Sequence, residues 1–253
     1  MRFLLPQPIT IGKILDTSIK LYQAALPKLI AFILFNLVFQ VGFIFLSISL
    51  NIDSTKPAAQ FAQILANLPL LLSVGLIYSF FYFAILVGMI YRIDNVENQQ
   101  EDSLQEAFQF GLKKIFVVFW GYILFVIAFV LGSLLLIIPG IILAVSLSFF
   151  AFFIVLESMG AYKSLRASHS LIWGHWWRTL TVYMAPGIVM MILLMSFGAI
   201  ASLLGSATNP VFQIINQGIS ALITPYFLVL AYIQFHDLKL RKSGGDLELR
   251  LGK

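Results

Sequence analysis

The sequence contains no cysteine and little charge. Its 253 residues include 16 Lys and Arg and 11 Asp and Glu, so 11% are charged, whereas 60% are hydrophobic. A soluble domain is about 25% charged and about half apolar. The missing thiols exclude disulfides, iron–sulfur clusters and thiol catalysis. The scarcity of charge excludes a soluble enzyme, a disordered regulator and a nucleic-acid-binding protein. The composition therefore predicts an integral membrane protein.

Four long stretches have no Asp, Glu, Lys or Arg at all: 29–52, 57–91, 115–156 and 179–236. Because about 20 apolar residues cross a bilayer, the first two stretches hold one span each and the last two hold two each. The runs are unbroken, unlike the alternating segments of a transmembrane β-barrel. We therefore predict an all-α, polytopic helical bundle forming a single membrane domain, 1–253, with six spans: 29–50, 68–91, 115–137, 141–156, 179–204 and 211–234.

Turn-forming residues divide the two longest stretches. Pro139-Gly140 interrupts the third, and 205–210 interrupts the fourth. The span 141–156 has only 16 residues and would reach about 24 Å. Pro139-Gly140 could therefore form a hairpin, a kink in a longer helix or a re-entrant turn, and a re-entrant turn would break the even span count.

The basic residues indicate the orientation. With six spans, fifteen of the 16 Lys and Arg fall on one side and Lys56 alone falls on the other. Short loops rich in Lys and Arg stay in the cytoplasm. The net charge of +5 is thus a topology signal, and we predict a multi-pass inner (plasma) membrane protein with both termini, and the short tail 237–253, in the cytoplasm. No cleaved signal peptide is expected, since residues 1–8 lack an apolar core.

The segments that precede spans one, three and five have similar patterns. Each is expected to be a short amphipathic, interfacial helix on the cytoplasmic side, at about 9–25, from 103 onwards, and at 160–173. The second begins with a Ser103-x-x-Glu106 capping box. We therefore hypothesise a threefold repeat of an interfacial helix and a transmembrane hairpin, with units 8–93, 94–156 and 157–236. The alternative is that such segments are commonly amphipathic.

The stretch from Pro139-Gly140 through Glu157 to the Ser-Leu-Arg-Ala-Ser sequence at 164–168 resembles the YciC family of uncharacterised bacterial inner-membrane proteins. It is also similar to a membrane domain found beside some bacterial glycerophosphodiester phosphodiesterases. The opening, from residue 11 to Tyr22, resembles the N-terminal helix of the same group. The resemblance implies a helical membrane fold but no reaction.

Glu157 is the carboxylate that stands out, because it closes a 42-residue uncharged stretch. It could couple or gate a movement, or it could simply pair with Arg166 or cap the next helix. Asn36 and Gln40 lie one turn apart inside span one. They could line a polar path or hold helices together, with Asn216 and Gln217 as partners.

Pro186-Gly187 and Pro225 are expected to bend spans five and six, as broken helices do at transporter sites and as ordinary membrane helices also do. The three histidines match no metal motif, and neither a nucleophile–base pair nor a phosphate-binding loop is present. No catalytic residue, metal or cofactor is therefore predicted.

Two functions remain open. The first is a non-enzymatic structural or partner-binding role in the cell envelope. The second is the transport or handling of a lipid or amphiphile. The expected partners are the bilayer and either a membrane protein or a bound lipid, and no nucleic acid. A lateral apolar groove would favour lipid handling, whereas a tight bundle with a small-residue face would favour partner binding.

Overall fold

The computed structural model describes residues 3–50, 57–203 and 209–244. Every regular element in these ranges is an α-helix. The helices are α1 (Ile11–Ser49), α2 (Pro57–Ala66), α3 (Leu68–Glu97), α4 (Leu104–Leu135), α5 (Ile137–Ser146), α6 (Phe150–Leu156), α7 (Ala161–Ile172), α8 (Trp176–Leu203) and α9 (Pro210–Lys242). Lys56 and most of the predicted turn at 205–210 lie outside the described residues. The short helix α2 was not predicted.

Six helical segments are long and apolar enough to span a membrane, which confirms the predicted number. They are α1, α3, α4, the pair α5 and α6, α8 and α9. The bundle is built around two long contacts, α1 against α9 and α3 against α4, with α5 folded back on α4. The chain is therefore a multi-pass helical membrane protein.

The third and fourth spans meet earlier than predicted. Leu136 is the only non-helical residue between α4 and α5, and its extended backbone (φ −166°, ψ 154°) makes the reversal. Pro139 therefore lies in the first turn of α5, where a missing backbone N–H costs no hydrogen bond. The fourth span covers Ile137–Leu156, 20 residues rather than 16, so the predicted short helix was wrong.

Glycine permits this tight reversal. A Cβ added to Gly140 would lie 2.1 Å from Ser133 Oγ and 3.1 Å from Ser133 Cα. A Cβ on Gly132 would lie 3.3 Å from the Gly140 backbone. The two glycines therefore allow α4 and α5 to approach almost backbone to backbone beside the turn.

A second close approach joins α3 to α4. Ala84 and Gly88 lie one turn apart on α3, and Ala107 and Gly111 lie one turn apart on α4. A Cβ on Gly111 would stand 2.3 Å from the Ala84 carbonyl oxygen, and one on Gly88 would stand 3.1 Å from that of Ala107. Small residues at this spacing let membrane helices pack by direct backbone contact.

The predicted interfacial helices are only partly separate elements. The first two segments continue without a break into α1 and α4, and only the third forms its own helix, α7. The apolar faces of the first and third are covered by the protein itself: Ile14 and Leu21 of α1 and Ile172 of α7 are fully buried. That these three segments lie along the cytoplasmic interface stays a prediction. The capping box of α4 is confirmed, with both bonds at 3.1 Å. The threefold repeat stays a prediction.

The buried core lies at one end of the bundle. We call this the basic end, because Lys28, Arg92, Lys114, Arg178 and Arg241 lie there, and we call the opposite end the far end. In α3 every buried residue falls between Phe83 and Glu97, and in α9 the buried residues fall between Ala221 and Leu238. The helix α9 continues through Lys242, so the first residues of the predicted tail 237–253 are helical and packed.

Candidate functional site

A cavity of about 310 Å³ lies where α1, α3, α4, α6 and α9 meet, and we call it the central cavity. Much of its wall is aromatic, and its polar groups are one amide and several hydroxyls. The aromatic lining residues are Tyr82, Phe83, Tyr122, Phe150, Phe152 and Phe227; the other polar ones are Asn36, Ser148 and Thr224.

Two irregularities in the helices shape the central cavity. Pro225, inside α9, lines it directly. Ser148 lies in the turn that separates α5 from α6, and Ser168 of α7 braces this turn: its hydroxyl donates to the Ser146 carbonyl at 2.9 Å and accepts from the Phe149 N–H at 3.0 Å. Ser148 Oγ itself is buried and lies beside the hydroxyl of Tyr183 in α8.

A second cavity, of about 500 Å³, extends toward the far end between α1, α3 and α9. We call it the lateral cavity. Its wall is apolar except for Gln40, Tyr78 and Gln217. Gly42 and Gly75 also line it, and a Cβ added to either would meet nothing within 4 Å.

The two cavities adjoin at one hydrogen bond. The Tyr78 hydroxyl, on the lateral side, donates to Asn36 Oδ1, on the central side, at 3.0 Å. Asn36 lies eight residues after Lys28 in α1, about 12 Å along the helix. The lateral cavity is deeper still, at residues 38–46 of the same helix. Both cavities therefore lie at bilayer depth, and no Asp, Glu, Lys, Arg or His is among the described residues that line them.

The charged groups are gathered at the basic end, where they clamp the N-terminal segment onto the bundle. Asp237 of α9 accepts hydrogen bonds from Arg178 at 3.0 Å, from Arg241 at 2.9 Å and from the Ile9 N–H at 2.8 Å. Arg241 also donates to the Ile9 carbonyl at 2.9 Å. The Asp237 side chain is 2% exposed.

Two further buried carboxylates continue this clamp. Glu97, at the end of α3, accepts from the Phe3 and Leu4 N–H groups at 3.0 and 2.9 Å. Asp102, whose side chain is fully buried, accepts from Arg92 at 2.7 Å and pairs closely with Lys28. Since each charge has a partner, the clamp is a structural network.

One histidine at this end has an altered acidity. Burial lowers the pKa of His175, and the nearby charges of Arg241, Lys242 and Arg178 lower it further, against an opposing effect of Asp237. No group of three metal-ligating side chains is found within the described ranges.

Comparison with known proteins places the chain among membrane proteins without an assigned reaction. Residues 102–237, from Asp102 before α4 to Asp237 in α9, match the family described as "Domain of unknown function (DUF7847)". That match covers more than half of the sequence. The chain belongs to the DUF7847 family.

A bacterial relative supports the membrane assignment of this DUF7847 protein. Over 103 residues this chain is 32% identical to the "UPF0259 membrane protein PC1_1998" of Pectobacterium carotovorum subsp. carotovorum (strain PC1). The aligned part is 40% of this chain and 39% of that relative. No solved structure matches the chain. An uncharacterised membrane family is thus shown, while the YciC and phosphodiesterase resemblances stay predictions.

The residues singled out in the sequence lie in different parts of this DUF7847 protein, and some have other partners than expected. Glu157 pairs with Lys239 of α9 at 2.5 Å rather than with Arg166. It does not cap α7 either, since the N-cap is Gly160, without a side-chain bond. Arg166 lies on the exposed face of α7. Glu157 is therefore an ion-paired helix end at the edge of the bundle.

Asn36 and Gln40 are brought to the cavities, although their expected partners are only partly correct. Asn36 bonds to Tyr78 of α3 instead of α9, while Gln40 and Gln217 line the lateral cavity together. Pro139 and Gly140 build the reversal at Leu136. Pro186 and Gly187 lie on α8 among residues that are mostly exposed, whereas Pro225 lines the central cavity.

The sequence interpretation missed Tyr82, Tyr122, Ser148 and Thr224, and also the buried carboxylates Asp102 and Asp237. The four hydroxyl residues come from four different segments, and none stands out in a membrane helix. A better signal was available for packing, because the small pairs Ala84–Gly88 and Ala107–Gly111 have the spacing typical of close helix contacts.

Proposed function

We propose that this protein binds a membrane amphiphile, with the apolar chain in the lateral cavity. The observation that carries the proposal is an apolar cavity of about 500 Å³ at bilayer depth, within the size range of ligand sites. Lipid is the solvent there, so an amphiphile can enter sideways without crossing water. Of the two functions left open by the sequence, lipid or amphiphile handling is therefore the better supported.

We also propose that the basic end faces the cytoplasm and that both termini lie there, in the inner membrane. The support is the distribution of Lys and Arg along the sequence. In that orientation the central cavity lies nearer the cytoplasmic leaflet and the lateral cavity extends into the outer one. No enzymatic reaction is proposed.

A structural or partner-binding role rests on α8. Only 6% of the residues in the most apolar 18-residue stretch of α8 are buried, whereas 56% are buried in the corresponding stretch of α9. The bilayer itself accounts for such an exposed face, so we propose no protein partner.

Native mass spectrometry of the protein in mild detergent tests the proposal. The wild type is expected to retain a lipid-sized adduct of defined mass. Gly75→Leu places a side chain in the open space of the lateral cavity and should remove the adduct. Gly187→Leu is the matched control: a Cβ there also meets nothing within 4 Å, but the residue lies on α8, and the adduct should remain. An adduct that both variants retain equally would contradict the proposal.

A further inference from the structure

The central cavity indicates which class of amphiphile the protein binds. We infer that it accommodates an uncharged, planar, carbonyl-bearing ring, so that the ligand is of the lipid-quinone type, with the ring in the central cavity and the chain in the lateral cavity. This inference rests on the proposed function and adds the identity of the head group. Only binding is inferred, with no redox step.

Charge excludes the commonest membrane lipids. A phosphate or carboxylate head at bilayer depth needs a cation beside it, because an unpaired buried charge is very costly. Neither cavity offers one among the described residues. The nearest cations along the chain, Lys28 and Arg92, are already bound to Asp102. The head group is therefore neutral.

The polar groups of the central cavity suit a ligand that accepts hydrogen bonds. The hydroxyls of Tyr82 and Tyr122 can donate to a ligand, whereas that of Thr224 already donates to the Ser220 carbonyl at 2.9 Å. The Asn36 carbonyl already accepts from Tyr78, so its NH₂ group is the part left for a ligand. Ser148 Oγ, which lies beside the Tyr183 hydroxyl in the wall, is a further polar group that a ligand can contact. Carbonyl oxygens on a ring would satisfy these groups.

The aromatic wall favours a flat ring over an aliphatic head. Six aromatic side chains line the central cavity, and such rings stack or meet edge to face with another planar π-system. A diacylglycerol head is neutral too, but it is flexible and has no face to stack. The aromatic wall thus separates two neutral candidates that charge alone does not distinguish.

The arrangement of the cavities fits a ring with one long chain. The central cavity is the smaller and more polar of the two, and the lateral cavity is larger and almost wholly apolar. The Tyr78–Asn36 bond lies where they adjoin, so a ligand occupying both would pass this pair. Tyr78→Phe, which removes the bond and keeps the ring, should therefore speed ligand entry and release.

Binding of defined probes tests the inference. Purified, delipidated protein in mild detergent is incubated with decylubiquinone, dioctanoylglycerol or phosphatidylglycerol, and retained probe is quantified after gel filtration. Decylubiquinone is expected to bind best. Tyr82→Phe and Ser148→Ala should each weaken its binding about three- to tenfold, the effect of one lost hydrogen bond. Tyr226 does not line the central cavity, so Tyr226→Phe should leave binding unchanged.

The outcomes separate this inference from the proposed function. If dioctanoylglycerol or phosphatidylglycerol binds as well as decylubiquinone, and Gly75→Leu abolishes that binding, the quinone-type head is overturned while amphiphile binding stands. If no probe binds above the level of Gly75→Leu, both fail. A thermal melt of each variant in detergent confirms that it is folded, and the conservative changes at Tyr82 and Ser148 keep the cavity wall in place.

Discussion

The same helices are held in two different ways at their two ends. Toward the basic end, α1, α3 and α9 are buried and clamped by Asp102, Asp237 and Glu97, and α3 packs closely on α4 through glycine and alanine. Toward the far end they separate, and an apolar cavity replaces the core. One half is thus a packed frame, and the other half holds the lateral cavity. This division fits the proposed binding of an amphiphile, because the helices can diverge around a cavity only where other contacts hold them together.

Removing the central carboxylate of the clamp should have the largest effect. Asp237→Ala would leave Arg178 and Arg241 without their shared carboxylate and the Ile9 N–H without its acceptor. We expect a loss of about 3 kcal/mol in unfolding free energy, the scale for breaking a buried ion pair. Thermal unfolding in detergent measures the change. Asp16→Ala is the control, because the Asp16–Lys20 pair is about 60% exposed on both sides and should cost less than about 1 kcal/mol.

Adding one methyl group should change the stability of the protein in one half and not in the other. Gly111→Ala puts a Cβ 2.3 Å from the Ala84 carbonyl oxygen, so α3 and α4 must move apart at a cost of about 1–3 kcal/mol. Gly75→Ala makes the same chemical change in the lateral cavity, where nothing lies within 4 Å. It should be neutral or slightly stabilising, since Ala favours a helix. Equal melting temperatures for the two variants would show that the halves do not differ in packing.

The brace on the turn between α5 and α6 should have a smaller effect. Ser168→Ala leaves the Phe149 N–H buried without its acceptor, at a cost of about 1–2 kcal/mol. Because this turn carries Ser148, ligand binding should weaken as well. Ser164→Ala is the matched control on the same helix, since Ser164 bonds only to the Ala161 carbonyl one turn away. A fall in ligand binding with Ser164→Ala but not with Ser168→Ala would argue against the brace.

The smallest effect concerns pH. The pKa of His175 is lowered in the folded protein, mainly by burial, so the unfolded chain, with an ordinary pKa of about 6.5, binds this proton more readily. Neutral His175 therefore favours the folded state fully above about pH 6.5, and the free energy of unfolding decreases as the pH drops below this value. His175→Gln should flatten this part of the curve of melting temperature against pH between about 5 and 8. An unchanged curve would exclude His175 as the source.

Much of the fold could be predicted because hydropathy acts locally. Long uncharged runs must form helices in lipid, since each must satisfy its own backbone, and six spans followed from their lengths. The site was less accessible. Asn36 and Gln40 were found because polar groups are rare in such runs, but Tyr82 and Ser148 look ordinary until four segments converge. The break at Leu136 was misplaced because Pro139 is equally compatible with a turn and with the first turn of a helix.

The sequence by itself determined the membrane, the helices and their number, because the transfer of apolar residues into lipid depends on composition and length. It also determined which faces of α1 and α7 are apolar. Only the tertiary structure decided what covers those faces, which carboxylates are buried, and where the helices stop touching. Those outcomes depend on contacts between residues far apart in the chain, such as Ile9 with Asp237 and Asn36 with Tyr78. The candidate binding site therefore emerges only where the helices diverge.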